Sequence, residues 1–220
     1  MDRAQSVTFS AGPTLEGTLV IPPEAQGIVL FAHGSGSSRL SPRNRFVAEA
    51  LNRDGLATLL FDLLSQAEEA EESRLLRFDI PLLARRLINA TDWVSGRSET
   101  RGLRIGYFGA STGAAAALVA AAERPFVVSA VVSRGGRPDL AGDALGRVAA
   151  PTLLVVGGED RPVLELNRWA QRRLRVPTEL AVIPGASHLF EEPGALEEVA
   201  RLAAAWLGRH LVAALSSAGA

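Results

Sequence analysis

The segment Gly109-Ala110-Ser111-Thr112-Gly113 has the G-x-S-x-G spacing that lifts a serine hydroxyl above a sheet on a sharp strand-to-helix turn. Glycines two before and two after the serine remove side chains that would collide there. A raised hydroxyl becomes a nucleophile only when a base takes its proton, and histidine titrates in the neutral range. The chain has 3 histidines. His210 follows Arg209 in a segment of helical spacing and reads as a solvated surface side chain. His33 lies in the turn His33-Gly34-Ser35-Gly36, ahead of Ser111 in chain order. His188 ends the loop Pro184-Gly185-Ala186-Ser187-His188 and is the expected base. The base needs an acid to fix its tautomer and to stabilise the imidazolium that forms. Asp160 lies 49 residues after Ser111 and 28 before His188, completing the order Ser, Asp, His. Glu159 is the neighbouring alternative, and Asp139 and Asp143 are weaker ones. As simpler roles, Ser111 and Asp160 would each cap the helix that follows. The backbone N–H groups of Thr112 and Ser35 are the expected oxyanion donors. This set predicts acyl transfer through a serine ester, with no metal and no organic cofactor.

Composition narrows the alternatives. The 220 residues carry 23 basic and 24 acidic side chains, and every basic one is arginine, so Schiff-base chemistry and a P-loop lysine are excluded. Cysteine is absent, which removes thiolate nucleophiles, thiolate zinc sites and disulfides. No stretch collects the positive charge that a phosphate backbone attracts, so nucleic acid is not an expected partner. The longest apolar runs, such as Ala114 to Ala122, are far short of the ~20 residues that span a bilayer. No leader pattern opens the chain, and the cytoplasm is the default expectation. The expected partner is a small-molecule ester substrate, taken by a monomer or homodimer.

The elements that must position these residues follow from hydrophobic periodicity. Ser6 to Ser10 and Leu15 to Ile21 read as an antiparallel hairpin around Gly12-Pro13. Short continuous apolar runs follow at 28–32, 57–61, 105–108, 127–132, 153–156 and 180–183, the pattern of strands buried on both faces. Segments of helical spacing separate them at 43–53, 80–94, 112–123, 164–174 and 196–211. The alternation predicts one α/β domain over residues 1–220, with a mainly parallel sheet of about eight strands, helices on both faces and ligands at the carboxyl ends of the strands. The run Glu68-Glu69-Ala70-Glu71-Glu72 reads as a solvated or mobile loop, or functionally as an acidic rim disfavouring anionic substrates. Arg134, after the sixth strand, reads as a surface ion-pair partner, with anchoring of a substrate carboxylate as its functional alternative.

Five segments in this order resemble the α/β-hydrolase fold family and, within it, the small lidless dienelactone hydrolase branch. They are Phe31-Ala32-His33-Gly34-Ser35-Gly36, Phe61-Asp62-Leu63-Leu64, the Ser111 turn, the run from Pro151 to Gly158, and the run from Pro184 to Phe190. The resemblance implies that fold and hydrolase activity. Dienelactone hydrolases carry cysteine as nucleophile, whereas position 111 is serine, which favours ordinary ester hydrolysis. Ser133 to Ala150 is too short for a multi-helix lid, so the site is expected to be open and to prefer short acyl esters. Alternatives are an acyltransferase or perhydrolase, a lactone hydrolase, or a binding module without activity.

Overall fold

A computed structural model describes residues 4–71 and 73–212. Eight strands form one sheet: β1 (Gln5–Ser10), β2 (Thr14–Val20), β3 (Gly27–Ala32), β4 (Ala57–Phe61), β5 (Arg104–Ala110), β6 (Val128–Arg134), β7 (Thr152–Gly157) and β8 (Thr178–Ile183). Their spatial order is β1-β2-β4-β3-β5-β6-β7-β8. β1 and β2 pair antiparallel as a hairpin, and β2 meets β4 antiparallel, while β3 through β8 pair in parallel. Every residue of β3, β4 and β7 is buried, which is why those runs are continuously apolar instead of alternating.

The helices are α1 (Pro42–Arg53), α2 (Gln66–Glu71), α3 (Ser73–Leu76), α4 (Ile80–Gly96), α5 (Thr112–Glu123), α6 (Arg161–Gln171) and α7 (Ala195–Leu211). One apolar layer joins the sheet to α4 and α5 through side chains such as Leu30, Leu59, Leu87 and Leu118. The opposite layer joins it to α1 and α7 through Val29, Phe31, Val47 and Trp206. None of the described helices is long and apolar enough to cross a membrane.

The sheet order and the pairing of strands agree with the α/β fold expected from the periodicity. One expectation changes. The acidic run at 68–72 begins as helix: Gln66–Glu71 is helical, Glu68 pairs with Arg86 at 2.6 Å and Glu69 pairs with Arg77. Those two carboxylates are neutralised by arginines distant in sequence, a pairing that composition alone does not reveal. Glu72 lies outside the described residues. Between β6 and β7 the chain forms a 3-10 segment, Pro138–Arg147, interrupted at Gly142, and no helical lid.

Candidate active site

The turn after β5 is strained where the spacing places it. Ser111 has φ 51° and ψ −120°, a conformation L residues rarely adopt. Close packing holds it there. A Cβ on Gly113 would lie 2.2 Å from the Ala32 carbonyl oxygen, and one on Gly109 would lie 2.5 Å from the Ala114 Cα, so α5 can press against β3 and β5 only if both positions are glycine. The Ser111 N–H donates to the Arg134 carbonyl at 3.2 Å, and its own carbonyl accepts the Arg137 N–H at 3.1 Å. Ser111 occupies the N-cap position of α5 but makes no side-chain cap bond, leaving its hydroxyl uncommitted to the helix.

Asp160 behaves in the same way at the start of α6. It sits at the N-cap with no side-chain cap bond, and its carboxylate turns to His188 instead, with Oδ2 2.6 Å from Nδ1. Simple capping is therefore not what either side chain does. Asp160 is 13% exposed and His188 40%, so the acid is sheltered while the ring remains open to a ligand. The loop bearing His188 packs against β7: a Cβ on Gly157 would lie 2.3 Å from the Ala186 carbonyl oxygen. The turn after β6 borders the ring, since a Cβ on Gly135 would lie 3.5 Å from His188 Cε1. No hydrogen bond joins Ser111 Oγ to His188 among the described residues; such bonds commonly tighten only with substrate bound.

The other acids and histidines are occupied differently. Asp139 is held by two guanidinium nitrogens of Arg137 at 2.9 and 2.8 Å, and Glu159 and Asp143 are exposed. His210 packs against Trp206 on α7, with 4.7 Å between centroids and the ring planes tilted by 59°. His33 is buried with both ring nitrogens engaged: Nδ1 pairs with the Gly34 carbonyl at 3.0 Å and Nε2 accepts the Leu63 N–H at 3.0 Å. Burial lowers its pKa, and this neutral ring ties the loop after β3 to the loop after β4.

The oxyanion donors differ from expectation in one respect. Thr112 opens α5, and its N–H is an unpaired first-turn amide. The Ser35 N–H, expected to be free, donates to Thr112 Oγ1 at 2.9 Å, so direct donation to a ligand requires that bond to open. Sequence reasoning treated Thr112 only as a backbone donor. A hydroxyl beside a glycine-rich loop was the available signal that it could bond across. Among the described residues no group of three or more His, Asp or Glu side chains is placed to hold a metal.

An open cleft of about 760 Å³ adjoins the site, walled by His33, Ser37, Arg39, Arg43, Asp62 and Arg77. Its lining does not include Ser111 or His188; Ser111 packs against Gly34, next to the lining residue His33, and a Cβ on Gly34 would lie 3.1 Å from Ser111 Cβ. Arg39 fixes the outer wall by donating its N–H to Asp62 and its guanidinium to Asp62 and to Glu16, the latter at 2.6 Å.

Comparison with known proteins bears on the family and the fold. A crystal structure of dienelactone hydrolase from Anabaena variabilis ATCC 29413 is 60% identical, with a TM-score of 0.94 over 96% of this chain and 99% of that one. Est1E from Butyrivibrio proteoclasticus shares the fold at 18% identity, with a TM-score of 0.78 over 94% of this chain and 98% of that one. A Mycobacterium tuberculosis protein named "Putative phosphoribosyl transferase" is 59% identical over 95% of this chain and 47% of its own length. The chain thus spans about half the length of the curated relatives it matches. The Dienelactone hydrolase family profile matches residues 15–211, nearly the whole described sheet and its helices, and the chain therefore belongs to that family of α/β hydrolases.

Proposed function

We infer that this chain is a serine esterase that hydrolyses short-chain carboxylic esters through an acyl-enzyme. One observation carries the reading: Asp160 gives its carboxylate to His188 rather than to its own helix, which leaves the far ring nitrogen free as a base for an uncapped, strained Ser111, whose N–H bonds the carbonyl of Arg134 next to Gly135, the residue bordering the ring. Ser111 Oγ attacks the ester carbonyl as His188 takes the hydroxyl proton. The carbon–oxygen bond to the leaving group then breaks, and His188 returns that proton to release the alcohol. Water repeats the sequence on the acyl-serine, its proton passing through His188, to release the acid and restore the hydroxyl. The Thr112 N–H stabilises the oxyanion, and the Ser35 amide acts through the Thr112 hydroxyl or directly once that bond opens.

The open cleft and the short 3-10 connection between β6 and β7 favour short acyl groups, because among the described residues little apolar wall is available to a long chain. A lactone is a cyclic ester that the same steps would open, and the 60% identical relative makes it the second substrate class to assay. The phosphoribosyl transferase in a relative's name belongs to a protein about twice as long. The test is a burst experiment with a short-chain nitrophenyl ester, repeated after fluorophosphonate treatment. Turnover abolished by stoichiometric labelling at Ser111 is expected. Neither turnover nor labelling, or a rate rising with acyl length beyond about eight carbons, would contradict the reading.

A further inference from the structure

Arg134 ends β6 one backbone hydrogen bond from the nucleophile, and it is the only described arginine buried to this depth without a carboxylate. It is 8% exposed; Nε has no partner, and one terminal nitrogen reaches Asn44 Oδ1 at a long 3.4 Å. Its Cζ lies 5.9 Å from the Phe190 ring centre, a weak contact for a charge removed from water. The expected surface ion pair is absent: no carboxylate of the described residues lies within 4 Å. Arg86 shows how the same chain treats a structural arginine. It is equally buried, yet it donates to the Ala11 carbonyl and pairs with Glu68 at 2.6 Å.

A buried guanidinium without an anion is costly, and here a second cation adds to that cost. Burial first, and then the charge of Arg43 on the first turn of α1, lower the Arg134 pKa to about 10, at which it still carries its charge at neutral pH. Arg43 Nε is also buried without a partner, and its only carboxylate is the exposed Glu191, 3.3 Å away. Asn44, the group Arg134 does reach, is in the same first turn, so the buried guanidinium is aimed at the α1 N-terminus. Ser41, Pro42 and Arg43 line the 760 Å³ cleft.

We propose that Arg43, Arg134 and the N-terminus of α1 form an anion subsite that holds a phosphate group carried by the ester substrate. The number of donors selects phosphate over carboxylate. Two guanidinium charges set against the exposed Glu191 leave a net of about +1, and with Ser41 capping the Asn44 N–H and Pro42 lacking one, the Arg43 N–H is the first-turn amide left open. A phosphate monoester, with about −1.5 to −2 charge and three acceptor oxygens, can meet both guanidinium groups and that amide, whereas a carboxylate has two oxygens. With Glu68 and Glu69 already paired, these carboxylates do not make the rim repel an anion. The word substrate rests on the esterase reading; the anion subsite itself does not.

Two measurements separate those parts. Calorimetric titration with inorganic phosphate reads the subsite without catalysis: binding to the native chain, lost in Arg43→Met and in Arg134→Met, is expected. Arg43 is partly exposed, so its variant tests the idea even if Arg134→Met fails to fold. In the second measurement, nitrophenyl esters of butyrate, succinate and 3-phosphonopropionate are compared within each protein. The phosphonate ester is expected to exceed butyrate in kcat/KM by roughly tenfold to a hundredfold, the worth of one or two charge-assisted hydrogen bonds, with the ratio collapsing toward one in Arg43→Met. No phosphate binding by the native chain overturns the subsite even if butyrate is cleaved. Phosphate binding without cleavage of any ester upholds the subsite and overturns the esterase reading. A preference for succinate over phosphonate overturns the choice of phosphate.

Discussion

Thr112 holds Ser35 across the mouth of the site: the threonine hydroxyl accepts the Ser35 N–H at 2.9 Å, bridging the start of α5 and the loop after β3. A hydroxyl that accepts from an amide keeps its own hydrogen to donate, one residue from the nucleophile. Thr112→Val keeps the shape and removes that donor. We expect kcat with a short ester to fall by roughly 10²-fold, the usual cost of an oxyanion donor, while Thr112→Ser stays within severalfold of the native rate. A valine variant with undiminished kcat would show that the Ser35 amide, once freed, serves the oxyanion directly.

Strain at Ser111 makes stability and activity move in opposite directions. With φ 51°, ψ −120° and no cap bond, the side chain contributes strain and little compensation. Ser111→Gly should relieve about 1–3 kcal/mol of backbone strain, less the ~0.5–1 kcal/mol that glycine costs through the unfolded chain. A Tm a few degrees above that of Ser111→Ala is therefore expected, near ~2–4 °C per kcal/mol for a domain of this size. Both variants should lose several orders of magnitude in turnover. Equal melting temperatures would mean that the turn is not strained.

Asp160→Asn separates the two roles open to that position. Asparagine is as good an N-cap as aspartate, so the helix starting at Arg161 should hold its stability or gain slightly. Its amide would favour the wrong His188 tautomer at the 2.6 Å contact, and kcat should fall by roughly 10⁴-fold. A variant that keeps both its stability and its kcat would return Asp160 to a capping role.

The parallel sheet could be read from continuous apolar runs, because burial on both faces leaves no alternation to misread. The pairing of Asp160 with His188 could be read for a related reason: strand ends converge on one edge, so the loops after β7 and β8 meet there. Partnerships between distant polar groups could not. Nothing local distinguishes Arg86, which Glu68 satisfies, from Arg134, which no described carboxylate does. The Ser35 amide likewise looked free because its partner lies 77 residues away. The helix after Asp160 starts at Arg161 rather than near Leu164 because Pro162 is favourable in a first turn, where its missing N–H costs nothing.

His33 gives the fold a pH dependence of definite sign. Burial lowers its pKa from 6.5, and its neutral form accepts the Leu63 N–H on one side while donating to the Gly34 carbonyl on the other. Protonation would set a second N–H against Leu63 and remove the acceptor. Between the depressed folded value and 6.5 the unfolded chain binds more protons, so stability must fall as pH drops through that window. His210, also lowered by burial, adds the same sign more weakly because it is more exposed. Tm should therefore decline from pH 7.5 to 5.5, above the range where carboxylates titrate. In His33→Gln, which keeps an acceptor but cannot gain a proton, the starting Tm should be lower and the decline shallower. Equal slopes in the two proteins would show that the latch between the two loops does not depend on the neutral ring.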